Sequence, residues 1–197
     1  MKLLVLNGSP RKQGNTAALL RPFLEECEAL GAQTKQIDLY DCHIEPCRGC
    51  MTCQDVFQGL GCVCHDDLET VYDAVRETDL IVLATPIYAW YCTAPMKAAM
   101  DRLIYAGNKN YGREKGHALL AGKRVACIST CGYPVEKGVD LWEQGVKRWC
   151  RHGKIKYIDS LTARDMGKEI PFMDIKKENE VKTFARAVLQ AAEREEV

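Results

Sequence analysis

Two stretches of this 197-residue chain concentrate side chains that can do chemistry. The first is Asn7–Thr16, N-G-S-P-R-K-Q-G-N-T. It follows an apolar-rich run from Lys2 to Leu6 and precedes a helical pattern, so it reads as strand, tight loop and helix N-terminus. Gly8 and Gly14 open backbone conformations closed to other residues. Ser9, Asn15 and Thr16 offer short polar side chains, and Arg11 and Lys12 supply positive charge. The first amides of a helix are unpaired and lie at the positive end of its dipole. Together these parts predict a socket for a dianionic phosphate. The stretch lacks the G-K-[ST] of a P-loop and the G-x-G-x-x-G of a dinucleotide fold. An ordinary capped loop is the competing reading, and it needs fewer polar groups than stand here.

The second stretch is Tyr40–His65, with little periodicity and six cysteines. Cys47, Cys50 and Cys53 form C-x2-C-x2-C, and Cys62 and Cys64 follow as C-x-C. Three thiols at that spacing can wrap one face of a [4Fe–4S] cluster, with the fourth ligand from elsewhere. A zinc site joined by His43 or His65 and a set of free thiols are the alternatives. Eleven cysteines are many for a chain in a reducing compartment, where disulfides do not persist. A clustered subset therefore points to metal or redox work. Cys27 and Cys150 on helical apolar faces, and Cys127 in an apolar strand, read as small core hydrophobes.

The elements that must position these stretches can be read in order. A helix is predicted from Asn15 to Leu30, with Leu20, Phe23, Leu24 and Cys27 on one face and Gly31 as C-cap. Pro22 inside it predicts a kink or a displaced start. Thr34–Leu39 reads as a half-exposed edge strand. Asp66, with Glu69 following at capping-box spacing, starts a helix that carries Leu68, Val71, Tyr72 and Val75 on its buried face. Leu80–Ala84 is apolar throughout, as in a strand covered on both faces. Another helix opens at Thr93 with Pro95 in its first turn and buries Met96, Ala99, Met100 and Leu103. Its Lys97, Asp101 and Arg102 read as structural, in part a surface i,i+4 pair. After a loop over Tyr105–Gly122 come a strand at Arg124–Ser129, a turn at Thr130-Cys131-Gly132 and a helix marked by Val139, Trp142, Val146 and Trp149 that stops near Gly153. Ile155–Asp159 suits the opposite edge, Ser160–Lys177 is poorly patterned, and Val181 to Leu189 mark the last helix. Five alternations of strand and helix predict one α/β domain over residues 1–197, a parallel sheet with helices on both faces. In such a sheet ligands sit beyond the carboxyl ends of the strands. The loops Asn7–Asn15, Pro86–Thr93 and Thr130–Gly138 meet there.

The Asn7–Thr16 stretch resembles the phosphate loop of the flavodoxin-like NAD(P)H-dependent FMN reductases, G-S-x-R-x-x-x-N-T, with Gly8, Ser9, Arg11, Asn15 and Thr16 in register. Thr85–Leu103 is similar to that family's T-P-x-Y loop and the P-x-K-x-x-x-D-R helix after it. The resemblance implies a flavodoxin-like sheet of order 2-1-3-4-5. It implies FMN, with its phosphate on Ser9, Arg11, Gly14, Asn15 and Thr16. Pro86, Ile87 and Tyr88 would line the flavin ring, with Trp90 near it. Backbone donors of Thr130 and Gly132 would face its pyrimidine edge, where reduction builds up charge. Simple packing is the bland reading of Tyr88 and Trp90, and a tight turn that of Thr130–Gly132. NAD(P)H would be the electron donor, with a quinone, a flavin or oxygen as the acceptor. No catalytic side chain is required, since the flavin carries the redox step.

Within the same flavodoxin-like group, iron–sulfur flavoproteins carry C-x2-C-x2-C-x4–7-C. Here eight residues separate Cys53 from Cys62, one more than that pattern. This resemblance implies a [4Fe–4S] cluster on Cys47, Cys50, Cys53 and Cys62, with Cys64 competing for the fourth place, and a ferredoxin-like electron donor. A metal-binding or redox-sensing module without turnover is a third reading. Related proteins pair so that one subunit's loops roof the other's flavin, which implies a homodimer or a dimer of dimers.

Composition removes other classes. Lys+Arg and Asp+Glu are equal at 27 each, which gives no support to nucleic-acid or membrane-surface binding. At 47% hydrophobic and 27% charged the usage is that of a globular chain. No apolar run approaches membrane-spanning length, and Met1 leads straight into a strand, so a cytoplasmic location is expected.

Overall fold

A computed structural model describes residues 1–193. Among these residues, β1 (Lys2–Asn7), β2 (Gln33–Asp38), β3 (Leu80–Pro86), β4 (Arg124–Cys131) and β5 (Lys156–Arg164) form one parallel sheet of order β2-β1-β3-β4-β5. The helices are α1 (Asn15–Ala29), α2 (Leu68–Arg76), α3 (Ala94–Gly107), the single turn α4 (Val135–Gly138), α5 (Asp140–His152) and α6 (Ile175–Glu193). This is the flavodoxin order.

The strand period divides the core into two layers. Leu4, Leu6, Ile81, Leu83, Val125 and Cys127 point to one face and pack under α2, α3 and α5. Leu3, Val5, Leu80, Val82, Ala126 and Ile128 point to the other, under α1 and α6. The three central strands are buried on both faces, while β2 and β5 are only partly covered. That difference is why the central strands read as apolar runs and the outer two as mixed.

Several local expectations shift. α1 runs through Pro22 with its start at Asn15, and the ring is buried in the core face. The missing N–H leaves the Ala18 carbonyl without its helical donor, a cost that the packed apolar face offsets. Gly31 takes the left-handed φ of 85° that closes the helix. Asp66 does not form a capping box. Residue Asp67 holds the N-cap position of α2, and Glu69 pairs instead with His65 at 3.1 Å. Asp66 accepts the Leu68 amide at 3.1 Å and the Glu45 amide at 2.9 Å, and it pairs with buried Arg102. β5 extends to Arg164, into the segment that shows no clear pattern, because a half-exposed strand flanked by α5 and α6 needs no strict alternation.

Candidate functional site

The loop after β1 is fixed by its own backbone. Gly8 N–H donates to the Ala84 carbonyl at 2.8 Å, tying the loop to β3. Ser9 N–H donates to the Asn7 side chain at 3.0 Å, and the Arg11 amide to Ser9 Oγ at 3.3 Å. Thr93 Oγ1 donates to the Gly8 carbonyl at 2.7 Å. A Cβ on Gly8 would stand 2.8 Å from that Thr93 oxygen and one on Gly14 2.9 Å from Arg11 Cβ. Close backbone approach therefore explains both glycines. No described side chain caps α1, so the amides of its first turn stay open to an anion. Thr16 Oγ1 lies 3.1 Å from Thr130 Oγ1, both buried, which joins the start of α1 to the end of β4. Asn15 Nδ2 donates to Asp165 at 2.7 Å. Lys12 pairs with Asp41 at 2.6 Å, leaving Arg11 as the exposed cation of the loop without a described ion pair.

The loop after β3 presents the aromatic residues. Pro86 ends the buried strand, and the Ile87 amide donates to the Thr130 carbonyl at 2.7 Å. Tyr88 and Tyr91 exchange backbone hydrogen bonds at 2.9 and 3.0 Å. The two residues between them take left-handed conformations, Ala89 at φ 48° and Trp90 at φ 65°. Such strain in residues other than glycine collects at functional loops. Trp90 is 44% exposed and Tyr88 48%, and Trp90 stacks on Tyr133 with ring centres 5.5 Å apart. Thr130 lies inside β4 rather than in the turn, because β4 runs to Cys131. Gly132 follows at the surface, with nothing within 4 Å of where a Cβ would stand. The residues expected to hold a phosphate and a ring, and those of the expected turn, thus collect at the carboxyl ends of β1, β3 and β4.

The five cysteines of the second motif gather at one pocket. Cys47, Cys50, Cys53, Cys62 and Cys64 line it together with Arg102, Tyr105 and Ala106 of α3. Among the described residues no three His, Cys, Asp or Glu side chains converge on a single ion position. A cubane ligates each thiolate through a different iron, so its ligands stand further apart than those of one ion. Cys50 is exposed, and hydrogen bonds from Thr52 pull its thiol below the ordinary value. Burial pushes Cys53 up, opposed by Gln54 and Lys109. Burial and then Cys62 push Cys64 up.

Two buried cations underlie this pocket. Arg102 is 1% exposed. Its Nη2 donates to Cys62 Sγ at 3.3 Å and to the Cys64 carbonyl at 2.9 Å, and its Nη1 to Asp66 and the Glu45 carbonyl. Arg102 Nε is buried with no described partner. Lys109 is 0% exposed, and its ammonium donates to the Cys53 and Leu60 carbonyls at 2.9 and 3.0 Å. Buried Gln54 donates to the Tyr105 carbonyl and accepts the Tyr111 amide at 2.9 Å. Arg102 therefore belongs to this pocket and not to the surface pair, which Lys97 and Asp101 form by themselves at 2.7 Å. Sequence reading missed Arg102, Lys109 and Gln54 as site residues. No local signal marked them, because a cation on a helix reads as solvated until what packs over it is known. Of the other thiols, burial pushes Cys27, Cys92 and Cys150 up to about 12, which disfavours their thiolates.

Residues 1–138 match the sequence profile described as NADPH-dependent FMN reductase. An iron-sulfur flavoprotein of Methanosarcina thermophila is 32% identical over 124 residues, covering 62% of this chain and 63% of that protein. One from Archaeoglobus fulgidus is 40% identical over 111 residues, 56% of this chain and 53% of its own. The chain thus spans less than two thirds of the length of the curated relatives it matches. An NAD(P)H:quinone oxidoreductase from Methanothermobacter marburgensis superposes with a TM-score of 0.68 at 17% identity, over 100% of this chain and 99% of its own. At that identity the likeness is one of fold. No helix among the described residues is long and apolar enough to cross a membrane.

Proposed function

Because the chain belongs to the NADPH-dependent FMN reductase family, we propose that it is an FMN-dependent oxidoreductase whose cysteine loop carries a [4Fe–4S] cluster. FMN held there would supply the redox chemistry between NAD(P)H or the cluster and a small acceptor such as a quinone, a flavin or oxygen. The first-turn amides of α1, with Ser9, Arg11, Asn15 and Thr16, hold the phosphate. Pro86, Ile87, Tyr88 and Trp90 supply the flat apolar wall, and Gly132 leaves the backbone after β4 open to the ring.

The observation that carries the cluster is the pocket itself. Five cysteines line it, and a buried guanidinium that already bonds Cys62 Sγ keeps one donor unpaired. Cys47, Cys50, Cys53 and Cys62 fit a four-thiolate set, and the relatives named iron-sulfur flavoprotein support the same reading. α3 connects the two sites. Thr93, bonded to the phosphate loop, and Arg102, bonded to the cysteines, are nine residues apart, about 14 Å along the helix axis. That layout suits electron passage between cluster and flavin, with a ferredoxin-like protein as the donor.

Protein purified and reconstituted without oxygen tests both halves. Iron and sulfide bound together with FMN are expected, with broad absorption beside the flavin bands. Flavin without iron would leave the second reading, a plain NAD(P)H:FMN reductase, which the family match supports. A protein that binds neither would be a module without turnover. The exposed Tyr88, Trp90, Tyr133 and Leu141 near the flavin face suit coverage by a second copy. Light scattering is expected to give a homodimer or a dimer of dimers, and a 22.1 kDa monomer at micromolar concentration would remove that element.

A further inference from the structure

We infer that Arg102 and Lys109 are the fixed counter-charges of the thiolate pocket, holding its iron–sulfur group as an anion and raising its reduction potential. The inference rests on the cluster reading above and concerns two residues outside the cysteine motif.

The charges around the pocket do not balance. Arg102 and Lys109 are fully buried, and among the described residues the buried carboxylate of Asp66 pairs with Arg102 alone of the two. Asp66 is engaged by Arg102 and by two backbone amides. Among the described residues no carboxylate pairs with Lys109, whose acceptors are two neutral carbonyls. Arg48 at the rim adds positive charge and is matched by Glu45 at 3.8 Å. A buried ammonium without an anion is strongly disfavoured. The chain folds over Lys109. The backbone from Asn108 to Ala118 closes back on itself through a bridge between those two residues. Gly116 packs so tightly there that a Cβ would lie 2.5 Å from Lys109 Cβ.

The missing anion is the thiolate set. Four thiolates outweigh the positive charge of an iron–sulfide core, so the ligated cluster is a net anion in both oxidation states and more so when reduced. A fixed positive charge in a low-dielectric pocket stabilises the reduced form more than the oxidised one. A hydrogen bond to a ligand sulfur acts in the same direction, and Arg102 already makes one to Cys62.

The test uses the full chain as wild type, Lys109→Met, Lys109→Arg and Arg102→Lys, each reconstituted without oxygen with iron, sulfide and FMN. Iron, sulfide and FMN are counted, and the cluster is titrated with dithionite while its paramagnetic signal is followed. Lys109→Met is expected to keep FMN and iron but disfavour one-electron reduction by tenfold or more, a fall of at least 59 mV. Lys109→Arg, which keeps the charge, should stay near wild type. Arg102→Lys should fall by less than Lys109→Met. If Lys109→Met binds FMN but no iron while Lys109→Arg binds both, the charge is again what the cluster needs, and the inference stands. If both Lys109 variants lose iron, shape rather than charge is at work and the inference fails. If all variants hold iron at the wild-type potential, the counter-charge role is wrong while the cluster remains. Wild type that takes up no iron overturns the cluster and this inference together.

Discussion

The loop after β1 and the cysteine loop are both irregular segments that follow a strand, but they differ in how far along the chain their candidate site residues are spread. Asn7–Asn15 is short and bonds within itself, Ser9 to Asn7, Arg11 to Ser9 and Gly14 to Arg11. Its outside anchors are Asn7 to Asp38, Gly8 to Ala84, Thr93 to Gly8, Lys12 to Asp41 and Asn15 to Asp165. The cysteine loop is long and has only two short 3₁₀ turns, Leu39–Asp41 and Thr52–Asp55. Its position depends on distant side chains. Arg102 reaches the Glu45 and Cys64 carbonyls, Lys109 those of Cys53 and Leu60, and Gln54 ties it to Tyr105 and Tyr111. The loop after β1 keeps its candidate polar residues in one contiguous motif. A loop built on buried cations depends on residues that no local motif contains.

The largest test of this contrast removes a thiol. Cys50→Ala is expected to abolish bound iron and leave FMN in place, because the two sites are held separately. Cys62→Ala should lose iron as well, while Cys64→Ala should keep it, since Arg102 bonds the sulfur of Cys62 but only the backbone of Cys64. Iron, sulfide and FMN per subunit decide it, and equal iron in all three variants would end the cluster reading.

Next in size is the anchor. Arg102→Met leaves Asp66, whose side chain is 3% exposed, as an unpaired buried charge. A loss of about 3–5 kcal/mol in urea unfolding is expected, with FMN affinity much less affected. The pH dependence has a definite sign. Burial opposes ionisation of Asp66, but Arg102 and the Glu45 and Leu68 amides outweigh it and hold the carboxyl below its usual value. The stabilisation is therefore complete above the ordinary carboxylate range and is lost as pH falls through the depressed value. The gap between wild type and Arg102→Met should narrow in acid. A gap independent of pH would show that packing, not charge, anchors the loop.

The phosphate loop should respond in the reverse sense. Arg11→Ala removes one charge-assisted bond, worth about 1.5–3 kcal/mol, so FMN affinity should drop by about one to two decades, with little change in unfolding. Titration of apoprotein with FMN measures it, and an unchanged dissociation constant would remove Arg11 from the site. The smallest effect is expected for Lys12→Ala. Lys12 is exposed and engaged by Asp41, and such surface pairs contribute little. A loss in FMN affinity equal to that of Arg11→Ala would show that Lys12, despite this pairing, also serves the phosphate.

The sequence by itself determined the sheet and the meeting of the loops after β1, β3 and β4 at one end of it. Apolar runs at Lys2–Leu6, Leu80–Ala84 and Arg124–Ser129 marked the central strands, because strands buried on both faces have no room for polar residues. Gly8, Ser9, Arg11, Asn15 and Thr16 could be read together as a candidate socket because they stand within one short stretch of the chain. The end of β5 and the role of Asp66 could not be read this way. An exposed edge tolerates any alternation, and a carboxylate at a helix start looks like a cap until its partner is known. The tertiary structure alone decided the surroundings of the cysteines. Arg102 lies on α3 and Lys109 just beyond it, 40 and 56 positions from the cysteines whose sulfur or carbonyl they bond. Whether a cation is a solvated surface charge or a buried counter-ion depends on what packs over it, and only the folded chain brings the two together.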